Sequence, residues 1–190
     1  VDALVADIRS FADPSIQADT IFFGGGTPSL LEPGELGRII EACRDSVDLA
    51  DDAEITMEAN PESSSFEKLE RFRAAGANRL SFGVQSFRDE ELVRLGRLHS
   101  SATAREAVRA ARAAGFDNLS LDLMMWLPGQ RTEDWLSSVD ALIDIQPDHA
   151  RVTSQLVLRR NPKSKKKNTP LFLNGEAQKL ISISLEGSVG

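Results

Sequence analysis

The segment Thr20-Ile21-Phe22-Phe23-Gly24-Gly25-Gly26-Thr27-Pro28 places a short apolar run directly before three glycines. Branched and aromatic residues favour a strand, and glycines permit a sharp turn after it. From Pro33 onward, apolar residues such as Leu36 and Ile40 recur at helical spacing. The stretch therefore predicts a strand, a tight turn and a helix.

The same unit recurs along the chain. Further strands are predicted at residues 55–58, 80–85, 119–125 and 151–158. Strands that alternate with helices in this way form parallel sheets with crossover helices. We therefore predict an α/β fold, a partial (β/α) barrel over residues 1–158, with a doubly wound sheet as the alternative. Because the chain opens on a helical segment at residues 1–11, we expect the first barrel strand to be missing and to lie upstream.

Two of the predicted helices carry local sequence signals. Ser64 and Glu67 have the spacing of a capping box, in which both side chains bind the first helical turn. The helix that starts at Thr132 is predicted to bury one apolar stripe. The members of that stripe are Trp135, Leu136, Val139, Leu142 and Ile143.

Residues 159–190 break the repeating pattern. Six basic residues and no acidic residue lie between positions 159 and 167. Such blocks are usually solvated, so we expect a divergent, poorly structured basic tail, with a nucleic-acid patch as the alternative.

Composition limits the class of partner. The 190 residues are 41% hydrophobic and 27% charged, as in ordinary globular domains, and the net charge is −7. A net negative chain is a poor match for nucleic acid or anionic membranes. The chain has no apolar run of membrane-spanning length and no signal peptide at its start. We therefore expect a small-molecule partner, no nucleic acid, no membrane-spanning segment and a cytoplasmic location.

Cysteine content limits the metal chemistry. Cys43 is the only cysteine, so an internal disulfide is excluded and several thiolates cannot come from this chain. We predict no metal site within the chain.

Polar residues stand where predicted strands end. Glu58, Gln85 and Asp122 occupy strand C-terminal ends, the edge at which barrel enzymes build their sites. Residues in phase with them on alternating strand positions are Thr56, Ser81, Gly83, Ser120, Thr153 and Gln155. So polar an interior predicts a polar ligand or water, because buried unpaired carboxylates are costly. The alternative is that these residues are exposed loop-edge side chains without partners, and that the glycines form only a tight turn.

Five segments in series resemble one protein family. They are residues 22–31, 56–61, 78–87, 95–99 and 121–130, the last containing Leu127-Pro128-Gly129-Gln130. Together they resemble the oxygen-independent coproporphyrinogen III oxidase family of radical S-adenosylmethionine (SAM) proteins, which have a (β/α) barrel. Glu58-Ala59-Asn60-Pro61 and Gly83-Val84-Gln85-Ser86-Phe87 look more like its heme-chaperone branch.

The resemblance implies a SAM site. Its residues here would be Gly24, Gly25, Gly26, Thr27, Glu58, Gln85, Arg97 and Asp122. The glycine segment would bind the methionine end through its backbone, and the carboxylates would bind hydroxyl or amino groups. The glutamine and the arginine would fix the polar end of SAM.

The resemblance leaves three functions open. The first is a chaperone that binds heme and delivers it to an acceptor protein, for which His99 is a possible heme ligand, although a surface histidine is the simpler alternative. The second is a coproporphyrinogen III dehydrogenase that decarboxylates propionates oxidatively through a 5′-deoxyadenosyl radical. The third is an inactive truncated fragment.

The chain departs from the family in three places, one of which is the basic tail after Leu158 that replaces the family's Glu-Pro-Gly-Thr segment. Family members hold a [4Fe-4S] cluster with a Cys-x3-Cys-x2-Cys segment, which this chain lacks, so we expect the chain to be inactive as an enzyme on its own. Met125-Trp126 replaces the usual Tyr-Gly before Leu127-Pro128-Gly129, and we expect the indole to crowd the site.

Overall fold

The computed structural model describes residues 1–145. In this part of the chain one sheet contains β1 (Gln17–Phe23), β2 (Asp48–Ala59), β3 (Arg79–Gln85) and β4 (Asn118–Leu123). The helices are α1 (Asp2–Ser10), α2 (Pro33–Ser46), α3 (Phe66–Ala74), α4 (Asp89–Arg94), α5 (Ser101–Ala113) and α6 (Thr132–Ile145). Short 3-10 turns at Pro28–Leu30 and Pro61–Ser63 follow β1 and β2.

The order of the strands identifies the architecture. The four strands are parallel, and their order in the sheet is their order in the chain. A doubly wound sheet would reverse its order at a switch point, whereas a (β/α) barrel adds each strand on the same side. The predicted α/β partial barrel is confirmed, and the sheet is open. The strand predicted at residues 151–158 and the basic tail at 159–190 lie outside the described residues.

The core lies between the sheet and its helices. Ile55 and Met57 of β2 and Leu80 and Phe82 of β3 are at most 2% exposed, and they pack with Phe72 of α3. Burying such a side chain contributes about 1.5 to 3 kcal/mol. The alternate residues of these strands face the other side of the sheet, where the polar groups lie.

The inner face of the sheet carries a satisfied polar layer. Arg79 on β3 donates from Nη1 to Thr56 Oγ1 over 3.1 Å and lies 3.6 Å from Glu54 Oε1. Asn118 on β4 donates to the other oxygen of Glu54 over 3.2 Å. The sheet register pairs Glu58 with Ser81, so the polar positions predicted from strand alternation do share this face.

Helix α3 begins one residue later than predicted. Ser65 is its N-cap and accepts a hydrogen bond from the Lys68 amide over 3.3 Å. Ser64 instead donates to the Asn60 carbonyl over 2.8 Å, closing the 3-10 turn after β2. The predicted capping box of Ser64 and Glu67 is therefore wrong, because the preceding turn uses the first serine.

Helix α6 does not bury the predicted stripe. Its buried residues are Asp134, Ser138 and Ala141, whereas Leu136 and Ile143 are 51% and 46% exposed. Polar contacts set this rotation, because Ser138 Oγ accepts the Phe87 amide over 3.2 Å. No helix among residues 1–145 is long and apolar enough to cross a membrane.

Candidate functional site

An open cleft lies at the carboxyl ends of the strands. It is lined by Gly26, Thr27, Pro28, Glu58, Ala59, Asn60, Ser81, Gly83, Gln85 and Asp122. Its volume is about 210 Å³, below the roughly 300 to 1,000 Å³ of typical small-molecule sites. The cleft alone would thus enclose only part of a ligand.

The glycine turn after β1 lies against a carboxylate of β2. The Gly25 amide donates to Glu58 Oε2 over 3.3 Å. Gly25 and Gly26 have φ angles of +84° and +63°, in the left-handed region that glycine adopts without steric cost. A Cβ at Gly24 would lie 3.4 Å from the Glu58 carboxyl carbon. Glycines therefore allow the backbone to approach Glu58 and to present its polar groups to the cleft.

A second carboxylate, that of Asp122 on β4, also lines the cleft. Ser81 donates from Oγ to Asp122 Oδ2 over 3.4 Å. Burial raises the pKa of Asp122 and the negative charge of Glu58 raises it further, while the Ser81 hydrogen bond and the charge of Arg79 oppose the shift. Two carboxylates on one wall attract a positively charged ligand, which would favour the ionised form of Asp122.

Gln85 enters the cleft from a distorted strand end. Its φ angle is 68°, and the register between β3 and β4 shifts between Phe82 and Gln85. The Gln85 carbonyl accepts the Met124 amide over 2.8 Å, which joins the ends of the two strands. A Cβ at Gly83 would lie only 3.1 Å from Gln85 Nε2, so the side chain folds back over this glycine.

Arg97 supports the cleft without lining it. Its Nη2 donates to Asn60 Oδ1 over 2.7 Å and to the Gly83 carbonyl over 2.9 Å. Its Nε is buried and has no hydrogen-bond partner among residues 1–145. The side chain therefore fixes two lining residues, Asn60 directly after β2 and Gly83 on β3.

His99 is buried, at 5% exposure, so the alternative of a surface histidine is wrong. Its Nδ1 lies 3.0 Å from Glu62 Oε2, and its Nε2 lies 3.0 Å from the Val84 carbonyl oxygen. Both ring nitrogens are engaged with acceptors, which leaves neither free for iron. The geometry therefore speaks against His99 as a heme ligand.

Trp126 does not crowd the cleft. Its side chain is 68% exposed and does not line the cavity. Its φ angle of 62° lies in the left-handed region, which suits the glycine usual in the family. The substitution therefore imposes backbone strain and leaves the cleft open.

The chain does not supply a cluster site. Among the described residues, no group of three or more His, Cys, Asp or Glu side chains could hold a metal ion. Cys43 is partly buried on α2, and burial raises the pKa of its thiol, which disfavours the thiolate that binds metal. One such thiol does not fit a [4Fe-4S] cluster.

The structure brings most of the predicted site residues together. Gly26, Thr27, Glu58, Gln85 and Asp122 line the cleft. Gly24, Gly25 and Arg97 lie against lining residues. Sequence reasoning missed Asn60 as a lining residue, although its place directly after β2 and before Pro61 was the available signal.

Comparison with known proteins identifies a family. Residues 1–142 match the radical SAM superfamily. The chain is 40% identical over 149 residues to heme chaperone HemW of Haemophilus influenzae, covering 77% of this chain and 39% of that protein. It is 43% identical over 144 residues to the mitochondrial radical S-adenosyl methionine domain-containing protein 1 of Mus musculus, covering 76% of this chain and 32% of that protein.

A solved structure agrees with these relatives. Coproporphyrinogen III oxidase (HemN) from Escherichia coli, described as a radical SAM enzyme, superposes with a TM-score of 0.68 at 30% identity. The match covers 77% of this chain and 34% of that one. The chain therefore spans about a third to two fifths of the length of the proteins it resembles.

Proposed function

The chain belongs to the radical SAM superfamily, and from that premise we propose that the cleft at its strand ends binds SAM. The observation that carries the proposal is the pair of carboxylates, Glu58 and Asp122, that lines one cleft with the glycine turn. The ammonium group and the ribose hydroxyls of SAM can donate hydrogen bonds to carboxylates, and its sulfonium charge is attracted to them.

The remaining lining groups complement the other end of SAM. Gln85 offers an amide donor, and backbone N–H groups of the glycine turn can approach a carboxylate closely. Arg97 acts by holding Asn60 and Gly83, because its Nη2 is already bound to both. A two-pronged contact of the Arg97 guanidinium with the SAM carboxylate would require Nη2 to exchange partners.

The [4Fe-4S] cluster implied by the superfamily does not fit the residues of this chain. A cluster with one iron open to SAM needs three protein thiolates, and the sequence contains only Cys43. We therefore assign no reaction step to a cluster on these residues. The part assigned to the cleft is binding and orientation of SAM.

For the complete protein we propose the heme-chaperone function, in which heme is bound and passed to an acceptor protein. The supporting observation is the 40% identity to a heme chaperone over most of this chain. Oxidation of coproporphyrinogen is the second candidate, supported by the 30% identity to the solved oxidase. A cytoplasmic location remains a prediction.

One pair of experiments separates the two candidates. Heme is titrated into the complete protein and followed by its absorbance, and coproporphyrinogen turnover is measured anaerobically on the same preparation. We expect stoichiometric heme binding without turnover. Turnover without heme binding would favour the oxidase instead.

His99 gives this titration an internal check. A His99→Gln variant should bind heme as the parent does, because the imidazole is fully engaged within the fold. A loss of the heme spectrum in a variant that remains folded would restore His99 as a ligand.

A further inference from the structure

Glu91 on α4 is a buried carboxylate that the proposed site does not use. It is 1% exposed, and its hydrogen-bond and ion-pair partners are all donors or cations. Ser86 donates from Oγ to Oε2 over 2.6 Å, and Gln130 Nε2 lies 3.2 Å and 3.1 Å from the two carboxylate oxygens. Arg88 and Arg94 each lie 3.9 Å from Oε1. Burying a carboxylate costs free energy unless the carboxylate is paired. The role of Glu91 is therefore to be found in the groups that it binds.

The first partner fixes the end of β3. Ser86 directly follows Gln85, whose φ angle of 68° departs from strand geometry. Ser86 Oγ also accepts the Arg88 amide over 3.0 Å. The hydroxyl therefore links the turn after Gln85 to the carboxylate on α4.

The second partner fixes the loop after β4. Because Nε2 of Gln130 points at Glu91, its Oε1 faces the opposite way and accepts the amides of Trp126 over 2.7 Å and Leu127 over 3.3 Å. Trp126 has a φ angle of 62°. Gln85 and Trp126 are the only non-glycine residues with positive φ among residues 1–145. Strained backbone persists only where the surroundings hold it.

We infer that Glu91 is a positioning residue that holds the ends of β3 and β4 together, so that Gln85 and Asp122 both line the cleft. The inference rests on the proposed SAM site for its functional consequence. Glu91 touches no lining residue directly in the contacts above, so it acts through Ser86 and Gln130.

The test uses a swap of hydrogen-bond partners. Glu91→Gln replaces one acceptor oxygen with an amide NH2 group, which puts a donor among the donors Ser86 and Gln130. We therefore expect faster amide exchange at Trp126 and Leu127 and about tenfold weaker SAM binding. In the double variant Glu91→Gln with Gln130→Glu, an amide on α4 can donate to a carboxylate that still accepts both loop amides. We expect the double variant to recover binding to within about threefold of the parent.

Two further variants keep the test decisive. Glu90→Gln changes a neighbour whose side chain is 85% exposed, and it should leave exchange and SAM affinity unchanged. Gln130→Met removes the hydrogen bonds that join Glu91 to the loop after β4 and leaves the buried carboxylate in place. It therefore tests the positioning role of Glu91 even if Glu91→Gln does not fold. We expect it to weaken SAM binding and to speed loop exchange.

The outcomes separate the two proposals. If the parent chain does not bind SAM, the proposed function fails, while the exchange data still test whether Glu91 holds the loop after β4 through Gln130. If the parent binds SAM but Gln130→Met and Glu91→Gln match Glu90→Gln in exchange and affinity, the positioning role of Glu91 is overturned.

Discussion

At the scale of single residues, Gly83 is the position on which three cleft contacts converge. A Cβ there would lie 3.1 Å from Gln85 Nε2 and 3.4 Å from both Arg97 Nη2 and Asn60 Oδ1. Gly83→Ala should therefore displace Gln85 and weaken SAM binding about tenfold, equal to about 1.4 kcal/mol. The measurement is a SAM titration by calorimetry.

The matched control for this change is Gly34→Ala in the first turn of α2. A Cβ at Gly34 meets no atom within 4 Å. The affinity of Gly34→Ala for SAM should therefore equal that of the parent chain. Equal affinities for the parent and Gly83→Ala would show that the packing around Gln85 does not matter for binding.

The raised pKa of Asp122 makes SAM binding dependent on pH. The ligand-free fold favours the protonated carboxyl above the ordinary aspartate value of 3.8, whereas a cationic ligand needs the ionised form. Affinity should therefore fall as the pH drops through the raised pKa. Asp122→Asn should bind more weakly at neutral pH and should lose this dependence.

The raised pKa of Asp122 also predicts an effect on the stability of the fold. Because the folded state binds the Asp122 proton more tightly than the unfolded state, ionisation costs stability as the pH rises above 3.8. Asp122→Asn should therefore unfold at no lower temperature than the parent at neutral pH. A clear fall would mean that the ionised carboxylate stabilises the fold.

At the scale of elements, the start of α3 distinguishes the structure from the sequence pattern. Ser65→Ala removes the observed N-cap and should cost about 1 kcal/mol in the free energy of unfolding, measured in urea. Glu67→Ala should have little effect, because no capping contact to Glu67 exists in the structure. A larger loss for Glu67→Ala would restore the capping box.

The polar residues on the strands show which features of the cleft a sequence can predict. Glu58, Ser81 and Asp122 were placed on one face because strand side chains alternate with a period of two. Gln85 was placed at the right strand end, but its positive φ depends on contacts with residues far along the chain. Local patterns carry no record of such long-range contacts.

Packing between residues far apart in the chain explains two other differences between the predicted and the observed structure. Strand β2 begins at Asp48, well before the predicted residues 55–58, because its acidic first half pairs with β1 through backbone groups that no side-chain pattern reveals. His99 is buried through contacts with Glu62 and Val84, which lie 37 and 15 residues away. Both features need the tertiary structure.

At the scale of the whole molecule, the cysteine count makes a simple prediction. The 190-residue chain, reconstituted anaerobically with iron and sulfide, should bind no stoichiometric cluster and should not cleave SAM, because Cys43 is its only cysteine. Iron analysis, visible absorbance and 5′-deoxyadenosine release are the measurements. Cys43→Ser is the control, and a visible band that depends on Cys43 would contradict the prediction.

Hydrogen exchange measured by mass spectrometry shows directly whether SAM binds in the cleft at the strand ends. The 190-residue chain is compared with and without SAM at concentrations up to the millimolar range. We predict slower exchange in the segments that carry the glycine turn, Glu58, Gln85 and Asp122, and loss of that protection in Asp122→Asn. Protection confined to other segments, or no protection at all, would contradict the account.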